Sequence, residues 1–141
     1  RLLTLRGAGG SGKTRLALEV ARDLAGAYPH EAWFVELAPL AEGTLVPQAV
    51  AAALSVKERP DRPLSVTLAD ALKPRQLLLV LDNCEHLAEA AARLTETLLE
   101  SCPGVRVLAT SPEVLGARGE ASWTVPPLSG PDPQRQHRGC R

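Results

Sequence analysis

Leu2-Leu3-Thr4-Leu5-Arg6-Gly7-Ala8-Gly9-Gly10-Ser11-Gly12-Lys13-Thr14-Arg15-Leu16-Ala17-Leu18-Glu19-Val20-Ala21 decides how the rest of the chain is read. Residues 7–14 match G-x-x-x-x-G-K-S/T at every fixed position. The run 2–5 before them reads as a strand and the run 15–21 after them as a helix, the context this motif requires. Glycine lets the backbone curl so that successive N–H groups point inward and form an anion-binding nest. The helix that follows adds its own unpaired N–H groups and the positive end of its dipole. On this reading Gly7, Ala8, Gly9, Gly10, Ser11 and Gly12 wrap a phosphate. Lys13 reaches the β- and γ-phosphates, and the Thr14 hydroxyl ligates Mg²⁺. The flanking strand and helix argue against the ordinary alternative, a flexible Gly/Ser turn.

Working outward, the first helix carries Leu16, Val20 and Leu24 at i, i+4, i+8, one apolar face for packing on a sheet. Gly26 reads as its stop. The run 33–37 is a short β-rich stretch ended by Pro39. Residues 44–56 are Ala- and Leu-rich and read as helix, with Pro47 accommodated near the first turn. The stretch 57–63 is polar with two prolines and reads as a loop, and 66–72 as a short helix closed by Pro74. Residues 76–81, Gln-Leu-Leu-Leu-Val-Leu, form a continuous apolar run that suits a strand buried on both faces. Leu87, Ala91, Leu94 and Leu98 mark the next helix face, broken by Pro103-Gly104. Residues 105–109 read as the fourth strand and 122–125 as the fifth. Alternating strands and helices predict βαβ units and an α/β fold, a three-layer αβα sandwich on a mainly parallel sheet.

The chain has 141 residues, 45% of them apolar, which predicts a single globular core. Sixteen positive charges balance sixteen negative ones, so net charge points to neither nucleic acid nor a membrane surface. Cys84, Cys102 and Cys140 form no C-x-x-C pair, which argues against a disulfide framework or zinc site and for a reducing, cytoplasmic setting. No apolar run is long enough to span a bilayer. With no methionine and a start inside the first strand, the chain reads as a piece of a longer polypeptide. From Pro126 onward prolines cluster and apolar periodicity ends. This divides the chain into a nucleotide-binding core over 1–128 and a disordered Pro/Arg-rich tail over 129–141.

Asp82 ends the buried strand, whose carboxyl end opens toward the ligand crevice of such sheets. An acid there can hold Mg²⁺ through its water shell. Hydrolytic proteins of this broad class often place a second acid directly after it. Here that position is Asn83, which cannot take a proton. The nearest acid is Glu85, which reads either as a general base or as a helix-start residue favoured by the dipole. Thr110 and Ser111, at the end of the fourth strand, carry hydroxyls that would face the γ-phosphate if that strand lies between the first and third. Their ordinary alternative is a strand-end turn.

The segments 7–21 and 78–87, with its string Leu81-Asp82-Asn83-Cys84-Glu85-His86-Leu87, and the segment 107–116 together resemble the STAND class of signal-transduction ATPases, of NB-ARC type. The resemblance is to those in bacterial LuxR-family and AfsR/SARP-like transcriptional regulators, and it runs to about residue 128. It implies a sheet order 5-1-4-3-2, ATP or ADP with Mg²⁺ at the strands' carboxyl ends, and a slow molecular switch. It implies that Gly7, Gly12, Lys13 and Thr14 serve the phosphates and metal, and Asp82 the Mg²⁺. It also implies a following lid, a winged-helix domain and often a DNA-binding domain, with no nucleic acid contact from this segment itself. Two departures stand out. The family's arginine after Thr-Ser, a γ-phosphate sensor, is Pro112 here, with Arg118 the nearest alternative cation. The family's continuation is replaced by the Pro/Arg tail, as truncation or another reading frame would leave it. The functional expectation is an ATP/ADP-binding switch with slow ATPase activity. The alternatives are a degenerate module without turnover and a small-molecule kinase.

Overall fold

The computed structural model describes residues 1–8, 12–24, 26 and 32–126. Gly9, Gly10 and Ser11 of the glycine loop and the expected tail at 129–141 lie outside the described residues. Five strands, β1 (Leu2–Arg6), β2 (Ala32–Glu36), β3 (Leu77–Asp82), β4 (Val105–Ser111) and β5 (Glu120–Thr124), form one sheet in the order β2-β3-β4-β1-β5. Every pairing is parallel. This is the order 5-1-4-3-2 read from the opposite edge, as the resemblance implies. Helix α1 (Lys13–Leu24) follows β1, α2 (Val46–Leu54) and α3 (Leu64–Leu72) lie between β2 and β3, and α4 (Ala88–Ser101) joins β3 to β4.

All six residues of β3 are buried, and their alternation divides the molecule into two layers. Leu77, Leu79 and Leu81 belong to a large apolar cluster with Val50, Leu68 and Leu98 of α2, α3 and α4. Leu78 and Val80 belong to a smaller cluster with Ala17 of α1, Leu5 and Leu108. One sheet face therefore packs on α1 and the other on α2–α4. A buried leucine in such a core contributes about 2–5 kcal/mol relative to alanine, so the continuous run 77–81 anchors both layers together.

Several local expectations shift. Leu16 and Val20 pack under α1 as expected, but the centre of the contact is Ala17, fully buried. Leu24, the last residue of α1, is 39% exposed and stands outside the apolar face. The expected helix over 44–56 divides into a 3₁₀ turn (Gly43–Leu45) and α2, with Pro47 as the second residue of α2, where no helical N–H is needed. Ser55 ends α2 in the left-handed region at φ 59°, one residue before the expected stop. β3 and β4 each run farther than the apolar pattern suggested, to include Asp82 and Ser111, because ladder pairing continues past the last aliphatic residue. Among the described residues no helix is long and apolar enough to cross a membrane.

Candidate functional site

The carboxyl ends of β1, β3 and β4 lie side by side, and the glycine loop leaves from the first of them. Gly12 takes φ 85°, in the left-handed region where only glycine is unstrained, and its carbonyl accepts from Leu16 N–H at 2.9 Å to open α1. Lys13, the first residue of α1, donates from Nζ to the carbonyls of Gly7 at 2.6 Å and Ala8 at 3.0 Å. Its ammonium is thus held against the loop from which it would meet a phosphate.

Thr14, one residue farther along, donates its hydroxyl to the Asp82 carboxylate, 2.9 Å from Oδ1 and 3.0 Å from Oδ2. Asp82 is 2% exposed, so each oxygen needs partners to offset its desolvation. Thr110 Oγ1 donates to Oδ1 at 2.6 Å, and Asn83 Nδ2 donates to Oδ2 at 3.0 Å. The Thr110 hydroxyl in turn accepts from Asn83 N–H at 2.8 Å, and the Thr110 carbonyl accepts from Cys84 N–H at 2.9 Å. Asn83 itself sits in the left-handed region at φ 60°, which a short polar side chain tolerates better than most.

The residues named from sequence separate accordingly. Thr14, Asp82, Asn83 and Thr110 come together as one cluster facing α1, with Lys13 and Gly7 beside it. Ser111 falls on the opposite sheet face by strand alternation, and its Oγ accepts from Glu113 N–H at 3.4 Å. Glu85 is exposed in the turn between β3 and α4 and precedes the first helical residue, Ala88, by three positions; the acid in α4's first turn is Glu89. Cys84, the residue before Glu85, is fully buried, and burial pushes its thiol up to about 12, with smaller upward contributions from Asp82 and Glu120 against a lowering hydrogen bond from the Thr110 backbone. His86 is exposed, with Nε2 2.9 Å from the Leu40 carbonyl. Arg118 forms ion pairs with Glu96 and Glu100 on α4. It precedes Glu120, which pairs with Leu2 at the opposite end of the sheet from the glycine loop.

One acid was missed. Glu36 closes β2 in register with Asp82. Its parity in the strand was legible, but its neighbour was not, because nothing local in the sequence says which strand lies beside β3.

Thr14 and Asp82 offer hard oxygen ligands on rigid elements, a donor set that suits Mg²⁺, which uses one or two protein oxygens and completes its shell with water and phosphate. Among the described residues no group of three or more His, Cys, Asp or Glu gathers as a denser metal cage. The parallel order, the glycine loop after β1 and the acid at the end of β3 define an α/β fold of the phosphate-loop NTPase type.

The chain belongs to the AAA domain family, whose model matches residues 1–117. A Mycobacterium bovis protein provisionally named an HTH-type transcriptional regulator is 43% identical over 129 residues, which is 92% of this chain and 14% of that protein. The chain thus spans about a seventh of that relative's length. Among solved structures, the Aeropyrum pernix ORC2 protein, described in ADPNP–ADP complexes, aligns with TM-score 0.66 at 16% identity over 89% of this chain and 41% of its own. A Pyrococcus horikoshii STAND protein with a tetratricopeptide repeat sensor aligns with TM-score 0.63 at 16% identity, over 97% of this chain and 22% of its own. At these identities both likenesses concern the fold.

Proposed function

We propose that the chain is an ATP/ADP-binding switch module, with slow ATPase activity at most, within a multidomain signalling or transcriptional regulator of the STAND class. The observation that carries this reading is the Asp82 carboxylate, buried at the end of β3 and held by the Thr14 hydroxyl at 2.9 Å. The acid and the hydroxyl that this reading assigns to the metal thereby share one point. Residues 7–12 wrap the phosphates, and Lys13 leaves the Gly7 and Ala8 carbonyls to meet them. Thr14 and Asp82 hold Mg²⁺, directly or through its water shell. The bound ion neutralises phosphate charge. Thr110 and Asn83 keep Asp82 oriented. The regulator context draws on the mycobacterial relative's name, and the STAND assignment on the resemblance of the 81–87 string. Lid, winged-helix and DNA-binding domains of the whole protein are part of the same proposal, as is its cytoplasmic setting.

The test is calorimetry of MgATP and MgADP with wild type and Lys13→Ala. A charge-assisted hydrogen bond contributes about 1.5–3 kcal/mol, so the variant should bind MgATP about tenfold more weakly or worse. Equal affinities refute the assignment. Two observations favour a second reading, a module that binds without turnover. Asn83, in the position of a second acid, is tied to Asp82 Oδ2, and Pro112 offers no cation to a γ-phosphate.

A further inference from the structure

Asp82 is fully engaged by Thr14, Thr110 and Asn83, and Asn83 cannot accept a proton. The chain then turns away. Cys84 is buried in the large cluster on the α2–α4 side, and it carries Glu85 with it into the turn toward α4. The acid on the other face is Glu36. It stands in register with Asp82, and Leu37 N–H donates to the Asp82 carbonyl at 2.9 Å, which locks the two strand ends together. Val35 before it is buried in the α2–α4 cluster, so alternation sets Glu36 on the face that carries Asp82, Thr110 and Thr14. Neighbouring strands lie about 4.8 Å apart, within the reach of a glutamate side chain. Glu36 is exposed, and its side chain makes no hydrogen bond or ion pair with another described residue. Glu19 of α1, by contrast, is paired with Arg15.

We infer that Glu36 is the acid that takes the proton of the water attacking the γ-phosphate, an assignment that rests on the Mg-nucleotide reading above. The water oxygen bonds to the γ-phosphorus as the bond to the bridging oxygen breaks. That electron pair leaves on ADP. One water proton passes to the Glu36 carboxylate and then to solvent, and the other departs on inorganic phosphate. Glu36 needs no partner inside the protein for this work, which accounts for a carboxylate unpaired among the described residues beside a fully bonded one.

The experiment compares the 141-residue chain with Glu36→Gln and Glu85→Gln. MgATP affinity is measured by calorimetry, and release of radiolabelled γ-phosphate by single-turnover assay with protein in excess. Glu36→Gln should bind MgATP within about threefold of wild type and retain it uncleaved, with phosphate release slowed about 100-fold or more. Glu85→Gln should match wild type in both. Cleavage by Glu36→Gln within about threefold of wild type overturns the inference, as does loss of turnover in Glu85→Gln alone. A wild type that binds MgATP but releases no phosphate also overturns it and leaves the binding reading standing. A wild type that binds no MgATP overturns both.

Discussion

Replacing Thr110 with valine removes one hydroxyl and keeps the shape of the side chain. That hydroxyl donates to Asp82 Oδ1 at 2.6 Å and accepts from Asn83 N–H at 2.8 Å, at a residue with no exposed surface. A hydrogen bond to a charged group contributes about 1.5–3 kcal/mol, and a partly buried N–H left without a partner costs about 1–3 kcal/mol more. The additional buried methyl returns about 0.8 kcal/mol. The net destabilisation is about 2–5 kcal/mol, with the strained Asn83 turn loosened as part of it. For a chain of this size the unfolding entropy is about 0.3 kcal/mol/K, which converts that loss into a fall of about 7–17 °C in Tm. Thermal unfolding followed by circular dichroism measures it, with Thr110→Ser as the control. Serine keeps the hydroxyl and should recover most of the loss. A Thr110→Val midpoint within about 2 °C of wild type would show that the Asp82–Thr110–Asn83 bonds do not hold the site together.

The other predictions concern groups around the site. Burial raises the Cys84 thiol from 9.0 to about 12, so above the ordinary thiol value the unfolded chain releases a proton that the folded chain keeps. Stability should fall as pH rises through that window, and urea midpoints from about pH 8 to 11 should decline less steeply in Cys84→Ala; an unchanged slope counts against the buried thiol. Arg118 is a surface residue paired with Glu96 and Glu100 at the far end of the sheet, so Arg118→Ala should leave ATP and ADP affinities unchanged by calorimetry. Pro112→Arg restores a cation at the end of β4 and should raise the ATP-over-ADP preference by at most about 1.5–3 kcal/mol; no rise would place the sensor elsewhere.

The glycine-loop pattern stands out in the sequence because it is local. Each required residue type sits at a fixed spacing, and the flanking strand and helix are local patterns as well. Asp82 was legible for a related reason, since an acid after five buried aliphatics marks the end of a strand in any parallel sheet. The rest depended on pairing. Thr110 was expected to face the γ-phosphate if β4 lay between β1 and β3, and β4 does lie there; its bonds to Asp82 and Asn83 were not legible, because they depend on β4 pairing with β3. Ser111 looked equivalent to Thr110, and strand alternation sends it to the other layer. Arg118 looked close to the site in sequence, but the return to β5 begins at the amino ends of the strands. Glu36 drew no notice at all, since its meaning comes from its partner in the register.

These pairings also explain why the acid in this site is followed by an asparagine with a left-handed backbone. Asp82 must face α1 to meet Thr14, while the next element, α4, packs on the opposite layer. Cys84 already packs in that layer, so the chain has one residue, Asn83, in which to change direction. Asn83 makes that turn at φ 60°, at a cost of order 1–2 kcal/mol that a short polar side chain reduces. Two bonds from a single neighbour offset it: the Thr110 hydroxyl takes the N–H of Asn83, and the Thr110 carbonyl takes that of Cys84. The side chain of Asn83 then returns to Asp82 Oδ2. The turn and the orientation of the acid are therefore one structure. A ligand that draws Asp82 toward a metal must pull on Thr110 and on the turn that opens α4. A ligand can shift a two-state element only by its differential affinity for the two states. On the proposed reading, one contact that could differ between a diphosphate and a triphosphate would fall at the end of β4, where Thr110 is held by Asp82 and Asn83 and Pro112 carries no charge.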